Sequence, residues 1–153
     1  LALTMCPNID VWGMNVYRND NPTAIFEEWS AMSSKPMFLS EAGADSYMTV
    51  ANMGYKEGVN EQAQADAVRK ILDATFKHQD ICSGVTLFAF NDELWKAGNN
   101  DQYDPGGWAP NSFGVPYDGA PNEEYWGIVD INRKKKLAFH VVKEIYQYQS
   151  KED

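Results

Sequence analysis

Three apolar, strand-like segments alternate with amphipathic helical patterns along this chain of 153 residues. The order is strand, helix, strand, helix, strand, then a long loop and a final helix. Alternation of this kind predicts an α/β fold whose parallel strands are joined by right-handed crossovers. Because three strands do not close a barrel, we expect either a small open α/β domain or one part of a larger barrel.

The apolar patterns set the expected bounds of these elements. In the first strand, Trp12, Met14 and Val16 share one face, which suits a helical layer, while the opposite face ends in Asn15 and Tyr17. The expected strands are 9–17, a segment that has the apolar run 37–39 and ends at Glu41, and 84–90. A shorter extended piece is 125–131, and the expected helices are 24–33, 61–78 and 134–149.

Helix ends and loops carry further expectations. Thr23 and Asn60 are the predicted N-caps of the first two helices. The basic residues Lys134–Lys136 would occupy the first turn of the last helix, where positive charge opposes the helix dipole. Segment 45–59 is expected to be a loop, and segment 94–123 is a long loop of the kind that usually carries function.

The segment Lys35–Ala44 (KPMFLSEAGA) places a carboxylate at the end of a buried strand. Proline is tolerated at the first residue of a strand, and the apolar run that follows is typical of a strand covered on both faces. Gly43 lets the chain turn away and leaves Glu41 at the strand end, where sites form in parallel α/β folds. The alternative is that Glu41 caps a neighbouring helix or pairs with an arginine.

Composition narrows the class of partner. The formal charge of −9 leaves no basic face for phosphates and argues against nucleic acid. No apolar run approaches the ~18 residues of a membrane span, so no membrane partner is expected. Aromatic residues make up 13% of the chain, which indicates either an aromatic core or a sugar-binding surface. The first eight residues lack the basic region of a signal peptide, so the chain is expected to begin inside a domain.

The two cysteines, Cys6 and Cys82, are too few for a disulfide scaffold. Each precedes a predicted strand, so both are expected near one end of the sheet. A bridge between them is left open, and neither has the neighbours that a metal ligand needs.

Four motifs occur in order along the chain and together resemble one family. They are NVYR at Asn15–Arg18, FLSEAGA at Phe38–Ala44, FNDELWKAG at Phe90–Gly98 and EEYWGIVDINRKKK at Glu123–Lys136. The pattern resembles the C-terminal part of retaining (β/α)8-barrel glycoside hydrolases, in the clan of β-galactosidases, β-glucuronidases, β-mannanases and glucanosyltransferases. The resemblance covers residues 9–148. It implies that residues 1–153 are the C-terminal portion of a catalytic barrel, with parallel β/α units equivalent to strands six to eight of a TIM barrel.

The resemblance also implies a role for each strand end. Glu41 matches the nucleophile, Tyr17 the residue that hydrogen-bonds it, and Trp95 the aromatic floor of the −1 sugar subsite. A retaining glycosidase uses such a carboxylate to form a glycosyl-enzyme, and no cofactor is implied. The further residues expected to bind sugar are Asn15, Asn91, Asp92 and Glu93, with Trp108 and Trp126 as weaker candidates that suit packing equally well.

The chain departs from the family in lacking a recognisable proton donor. A second carboxyl group, ~5 to 5.5 Å from the nucleophile, must protonate the leaving oxygen. In this clan it is a Glu that follows an Asn. Here Asn60-Glu61 matches a helix cap and Asn122-Glu123 lies in a loop, so neither is expected to serve. The isolated chain is therefore predicted to be a poor catalyst or none.

The implied partners are a β-linked oligo- or polysaccharide and either the missing N-terminal part of the barrel or a second copy of the chain. Polysaccharide-acting members of the clan are commonly secreted, which implies a secreted or periplasmic protein. Two other functions stay open. One is a non-catalytic carbohydrate-binding module that uses Trp95, Trp108 and Tyr117. The other is an acidic Ca²⁺-binding domain, with possible oxygen ligands on Asp92, Glu93, Asp101, Asp104 and Asp118.

Overall fold

The computed structural model describes residues 2–17, 21–97, 101–104, 117–119 and 122–149. In chain order the elements are α1 (Ala2–Met5), β1 (Trp12–Asn15), α2 (Thr23–Met32), β2 (Met37–Ala42), β3 (Tyr47–Met48), β4 (Gly58–Val59), α3 (Glu61–Lys77), β5 (Cys82–Leu87), a 3₁₀ helix (Leu94–Ala97) and α4 (Leu137–Gln149). Among these residues, no helix is both long enough and apolar enough to cross a membrane.

The main sheet has three parallel strands in the order β1-β2-β5, with β2 in the centre. Trp12 pairs with Met37, and Met37 pairs in turn with Cys82. The α/β class and the parallel arrangement predicted from the alternating pattern are therefore confirmed. The equivalence to strands six to eight of a barrel remains a prediction.

One face of the sheet is covered by helices. Ile25, Phe26 and Trp29 of α2 are buried with Met37 and Leu39 of β2 in a single apolar cluster. Trp12 and Met14 of β1, with Val16 just after it, were assigned to this face and pack against the same cluster. The alternate residues, Val11 just before β1 and Gly13 and Asn15 within it, are exposed, as the period of two predicts for a strand with one covered face.

Several predicted element bounds are wrong by a few residues. The first strand covers Trp12–Asn15 rather than 9–17, and the third covers Cys82–Leu87 rather than 84–90. Segment 45–59 is not simply a loop, because β3 and β4 pair in it as a short antiparallel sheet. The piece expected at 125–131 is represented by isolated bridges from Val129 to Asn91 and Lys135.

Of the two predicted N-caps, one is confirmed and one is wrong. The Asn60 side chain accepts a hydrogen bond from the backbone N–H of Ala63 at 3.1 Å, which is N-cap geometry. Thr23 is instead the first helical residue of α2. Its N–H donates to Asn21 Oδ1 at 3.0 Å, and Pro22 occupies the cap position.

The predicted start of the last helix is also wrong. Helix α4 begins at Leu137, so the three preceding lysines are not in its first turn. The Leu137 N–H donates to Glu61 Oε2 at 2.9 Å, so a carboxylate from α3 satisfies an N-terminal donor of α4.

The two cysteines are not bridged. Cys6 is exposed and Cys82 is buried in the sheet, and both are free. Burial raises the pKa of the Cys82 thiol, so this side chain behaves as a small core residue.

Candidate active site

The carboxyl-terminal ends of the three parallel strands share one edge of the sheet. Asn15 of β1 lies opposite Glu41 of β2, and the Val16 N–H donates to the Glu41 carbonyl at 2.8 Å. Ala42 lies opposite Leu87 of β5. Glu41 is therefore at the end of the central strand, half-buried, as expected from its position after the apolar run.

The Tyr17 hydroxyl donates a hydrogen bond to Glu41 Oε2 at 3.0 Å. The pKa of Tyr17 is raised, first by burial and then by this hydrogen bond and the negative charges of Glu41 and Glu123. A phenol with a raised pKa stays protonated and keeps donating. The hydrogen bond expected between these two residues is present, and it joins two strands.

Gly43 follows the Glu41 strand at a point where the backbone comes very close to that of Phe88. Glycine is needed here for space and not for an unusual backbone angle. A Cβ at this position would lie 2.0 Å from the Phe88 carbonyl oxygen. The strands are held together here by a hydrogen bond from the Phe88 N–H to the Ala42 carbonyl at 2.9 Å. Only glycine fits between the two backbones.

Two aromatic rings flank Tyr17, and the sequence analysis placed neither of them beside it. The Trp126 ring meets the Tyr17 ring edge-on at a centroid distance of 5.3 Å, and the Phe88 ring does so at 6.4 Å. Phe88 and Trp126 also contact each other at 5.7 Å. Phe88 was missed because it continues the apolar pattern of the third strand. The strand ends at Leu87, three residues before its predicted end, so Phe88 lies just beyond the strand rather than inside it.

Trp95, expected as the floor of the site, lies further out. It is on the 3₁₀ helix and is 63% exposed. The ammonium group of Lys96 lies 3.9 Å from the Phe88 ring centre and 5.8 Å from the Trp95 ring centre. Lys96 also pairs with Glu93 at 3.1 Å.

The expected sugar-binding residues fall into two groups. Asn15 lies beside Glu41, and its Oδ1 accepts a hydrogen bond from Ser40 Oγ at 2.7 Å. Asn91, Glu93 and Trp95 instead line a separate open depression of about 300 Å³. Trp108 lies outside the described residues.

Asp92 is buried and fully engaged by the protein. Its Oδ1 accepts from Lys136 Nζ at 2.7 Å and from the Gly127 N–H at 2.8 Å, and its Oδ2 accepts from the Tyr103 hydroxyl at 2.7 Å. Burial raises the pKa of Asp92 and lowers the pKa of Lys136, while their mutual attraction opposes both shifts. The Asp92 carboxylate is thus committed to an internal ion pair.

The two Asn-Glu pairs have different surroundings. Asn60 caps α3 and Glu61 binds the start of α4, which agrees with the expected helix cap. Asn122 is buried, and its Oδ1 accepts from the Glu124 N–H at 3.2 Å. Glu123 is half-buried, and its charge contributes to the raised pKa of Tyr17. The sequence analysis placed Glu123 in a loop without connecting it to the Tyr17 and Glu41 pair.

Within the described part of the chain, no group of three or more His, Cys, Asp or Glu side chains is arranged to hold a metal ion. Asp92, one of the proposed Ca²⁺ ligands, is paired with Lys136, and this positive charge disfavours binding of a cation there. The geometry gives no support to the Ca²⁺-binding alternative.

The fold is similar to a portion of several solved bacterial enzymes. A GH2 β-galacturonidase from Eisenbergiella tayi superposes with a TM-score of 0.59 at 23% identity, covering 91% of this chain and 24% of the enzyme. A β-glucuronidase from Ruminococcus gnavus gives 0.59 at 15%, covering 94% and 24%. The β-glucuronidase of Bifidobacterium dentium gives 0.55 at 19%, covering 92% and 21%.

These similarities define the fold class. The chain has the α/β arrangement of a segment that makes up about a quarter of the length of each of these glycoside hydrolases. At such identities the likeness describes the fold alone. The chain matches no protein-family model and no curated protein.

Proposed function

We propose that this chain is part of a retaining glycosidase, or of a transglycosylase with the same mechanism, that acts on a β-linked oligo- or polysaccharide. The observation that carries the proposal is the 3.0 Å hydrogen bond from Tyr17 to Glu41 at the carboxyl-terminal edge of a parallel sheet. This edge is where α/β barrels place their catalytic groups. The three similar enzymes named above are glycosidases, which supports the same proposal.

In the proposed mechanism Glu41 attacks the anomeric carbon as the glycosidic C–O bond breaks. The leaving oxygen takes a proton from a carboxylic acid, and the sugar stays bound to Glu41 as an ester. Water or a sugar hydroxyl, losing its proton to that same acid group, then releases the sugar. Tyr17 orients the attacking carboxylate throughout, because its raised pKa keeps the phenol a donor.

The proton donor is proposed to lie outside this chain. The missing N-terminal part of the barrel would supply it together with the rest of the cleft. The chain spans about a quarter of the length of the similar enzymes, which supports an assignment to one part of a larger catalytic barrel; the motif order makes the C-terminal part our proposal.

The residues proposed to bind sugar form two groups, one beside Glu41 and one in the open depression described above. Phe88, whose ring meets that of Tyr17 edge-on, would floor the subsite of the attacked sugar, and Asn15, opposite Glu41, would bind its hydroxyls. Asn91, Glu93 and the exposed Trp95 would bind an outer sugar in their depression. We leave Asp92 out of the binding set because both its oxygens are occupied. The names of the similar enzymes make β-uronides the first substrates to test.

The test is the turnover of p-nitrophenyl β-glycosides, including the glucuronide and galacturonide, by the full protein that carries this chain. These substrates have leaving groups that need little protonation, so their cleavage depends chiefly on the nucleophile. E41A is expected to lower turnover by about 10³-fold or more. E57A, at an exposed position in the β3–β4 segment, is the matched control and should keep full activity. Intact turnover in E41A contradicts the proposal.

A carbohydrate-binding role without catalysis is the second candidate, and the 63% exposure of Trp95 favours it. Titration with oligosaccharides, followed by tryptophan fluorescence, separates the two. Saturable binding that W95A abolishes, in a protein that cleaves none of the glycosides, supports this candidate over the first.

A further inference from the structure

A buried ion pair that the proposed mechanism does not use lies behind the site. Asp92 and Lys136 are 2.7 Å apart, and their side chains are 1% and 6% exposed. Burying two charges is costly, and an apolar pair of the same volume is often at least as stabilising. The pair is therefore better explained by the segments it holds than by its contribution to stability.

The pair connects three segments around the site. Lys136 precedes α4 and donates to Ser46 Oγ at 2.9 Å, in the segment that follows the Glu41 strand. It also reaches the Tyr125 carbonyl at 3.3 Å. Asp92, in the segment after β5, accepts from the Gly127 N–H at 2.8 Å. Lys136 therefore contacts the residue before Trp126, and Asp92 contacts the residue after it.

The backbone around Trp126 is fixed closely by these contacts. A Cβ on Gly127 would lie 2.2 Å from the Asp92 nitrogen, so the two segments touch backbone to backbone. The Ala89 N–H donates to the Trp126 carbonyl at 3.0 Å. The Trp126 ring is thereby held edge-on against Tyr17, at 5.3 Å.

We infer that Asp92 and Lys136 are positioning residues that hold Trp126 against the Tyr17 ring and so keep the Tyr17 hydroxyl on Glu41. Neither residue touches substrate in this arrangement, because both are buried and committed to each other. The inference rests on the proposed function, since its consequence is a faster attack by Glu41.

The test uses variants that leave no lone buried charge. D92A/K136M removes the ion pair and the acceptor for the Gly127 N–H, whereas D92N/K136M removes the charges but keeps that acceptor. The readout is the rate of inactivation by 2-deoxy-2-fluoro-β-glycosyl fluorides of the gluco, galacto and glucurono series, which measures formation of the glycosyl-enzyme. Each variant is also made in a Y17F background. S46A, which loses one Lys136 contact, repeats the test if D92A/K136M does not fold.

We expect D92A/K136M to slow inactivation by about 10-fold or more, because displacements near 1 Å cost up to about 10²-fold. D92N/K136M should recover part of the loss, and S46A should slow the reaction by a smaller factor. In the Y17F background these substitutions should have little further effect, since residues acting through one group are not additive. A purely structural role would lower the melting temperature without this dependence on Tyr17.

Equal slowing in the Y17F background, or no slowing in folded variants, overturns the inference while leaving the proposed function intact. Failure of the proposed function gives a different result: no reagent inactivates the wild-type protein, or E41Q is inactivated at the wild-type rate. Either of those outcomes overturns both.

Discussion

Gly43→Ala is the substitution whose consequence follows most directly from the geometry of the site. The added Cβ would lie 2.0 Å from the Phe88 carbonyl oxygen, whereas ordinary contacts begin at 3.4 Å. The clash is between a Cβ and backbone, so no side-chain rotation relieves it, and the two strand ends must separate by more than about 1 Å. Overpacking costs about 1–3 kcal/mol, and we expect about 3 kcal/mol because relief is absent.

Thermal unfolding and inactivation by the fluoro-glycosyl fluorides measure the two effects of Gly43→Ala. A loss of about 3 kcal/mol lowers the melting temperature of a domain of this size by roughly 6–12 °C. Displacement of the Glu41 strand end by about 1 Å should slow inactivation by about 10²-fold.

The matched control is G54A, where no atom lies within 4 Å of the added Cβ. Its positive φ of 87° makes the substitution cost about 1–2 kcal/mol of backbone strain. It should leave the rate of inactivation unchanged. If Gly43→Ala has a wild-type melting temperature and rate, the close approach of the two strand ends described above is wrong.

Three further predictions concern single side chains. Y17F should slow covalent labelling by about 10-fold or more with little change in reagent affinity, because the orienting donor is lost; equal rates would refute its orienting role. K136M leaves the Asp92 carboxylate buried without a cation beside it. Equilibrium unfolding should therefore show a free energy of unfolding lower by about 3–5 kcal/mol, and D92N/K136M should recover most of this loss. An equally unstable double variant would contradict the ion-pair account. Burial raises the pKa of Asp45 well above its ordinary value of 3.8, so the folded protein retains a proton that the unfolded chain releases. The stability of the wild type relative to D45N should therefore be highest below about pH 4 and fall as pH rises toward the raised pKa, which unfolding at several pH values measures; a pH-independent difference would contradict it.

The parallel sheet was predictable because its signals are local. Each strand has its own apolar run, and the alternation on β1 correctly separates the covered residues from the exposed ones. The pairing of Tyr17 with Glu41 was implied by the family resemblance, and it is compatible with the strand order because parallel strand ends meet at one edge. The sheet needed only the period of the pattern and the order of elements, whereas the pairing needed the four motifs that carry the resemblance.

The parts that were missed depend on contacts between distant segments. Phe88 and Trp126 meet Tyr17 through three separate stretches of chain, and neither residue type nor spacing signals that contact. Lys136 looked like a helix residue that opposes the dipole, because its partner Asp92 is 44 positions away. Asp92 in turn looked like a polar residue of the rim for the same reason.

Short elements were missed for a different reason. Strands β3 and β4 have two residues each, too few for a period to be recognised, and the intervening segment has the glycine and polar content of a loop. The family resemblance assigned Trp95 to the floor of the site as the aromatic residue near the end of the third strand. The 3₁₀ helix instead carries it outward to 63% exposure.

The most direct test of the central claim is to identify the residue that carries the sugar after inactivation. The full protein is treated with the fluoro-glycosyl fluoride that inactivates it fastest, digested, and analysed by peptide mass spectrometry. Our account predicts one additional sugar mass on Glu41, in the peptide that contains Ser40 and Gly43. Modification of a different carboxylate, with Glu41 unlabelled, would contradict it.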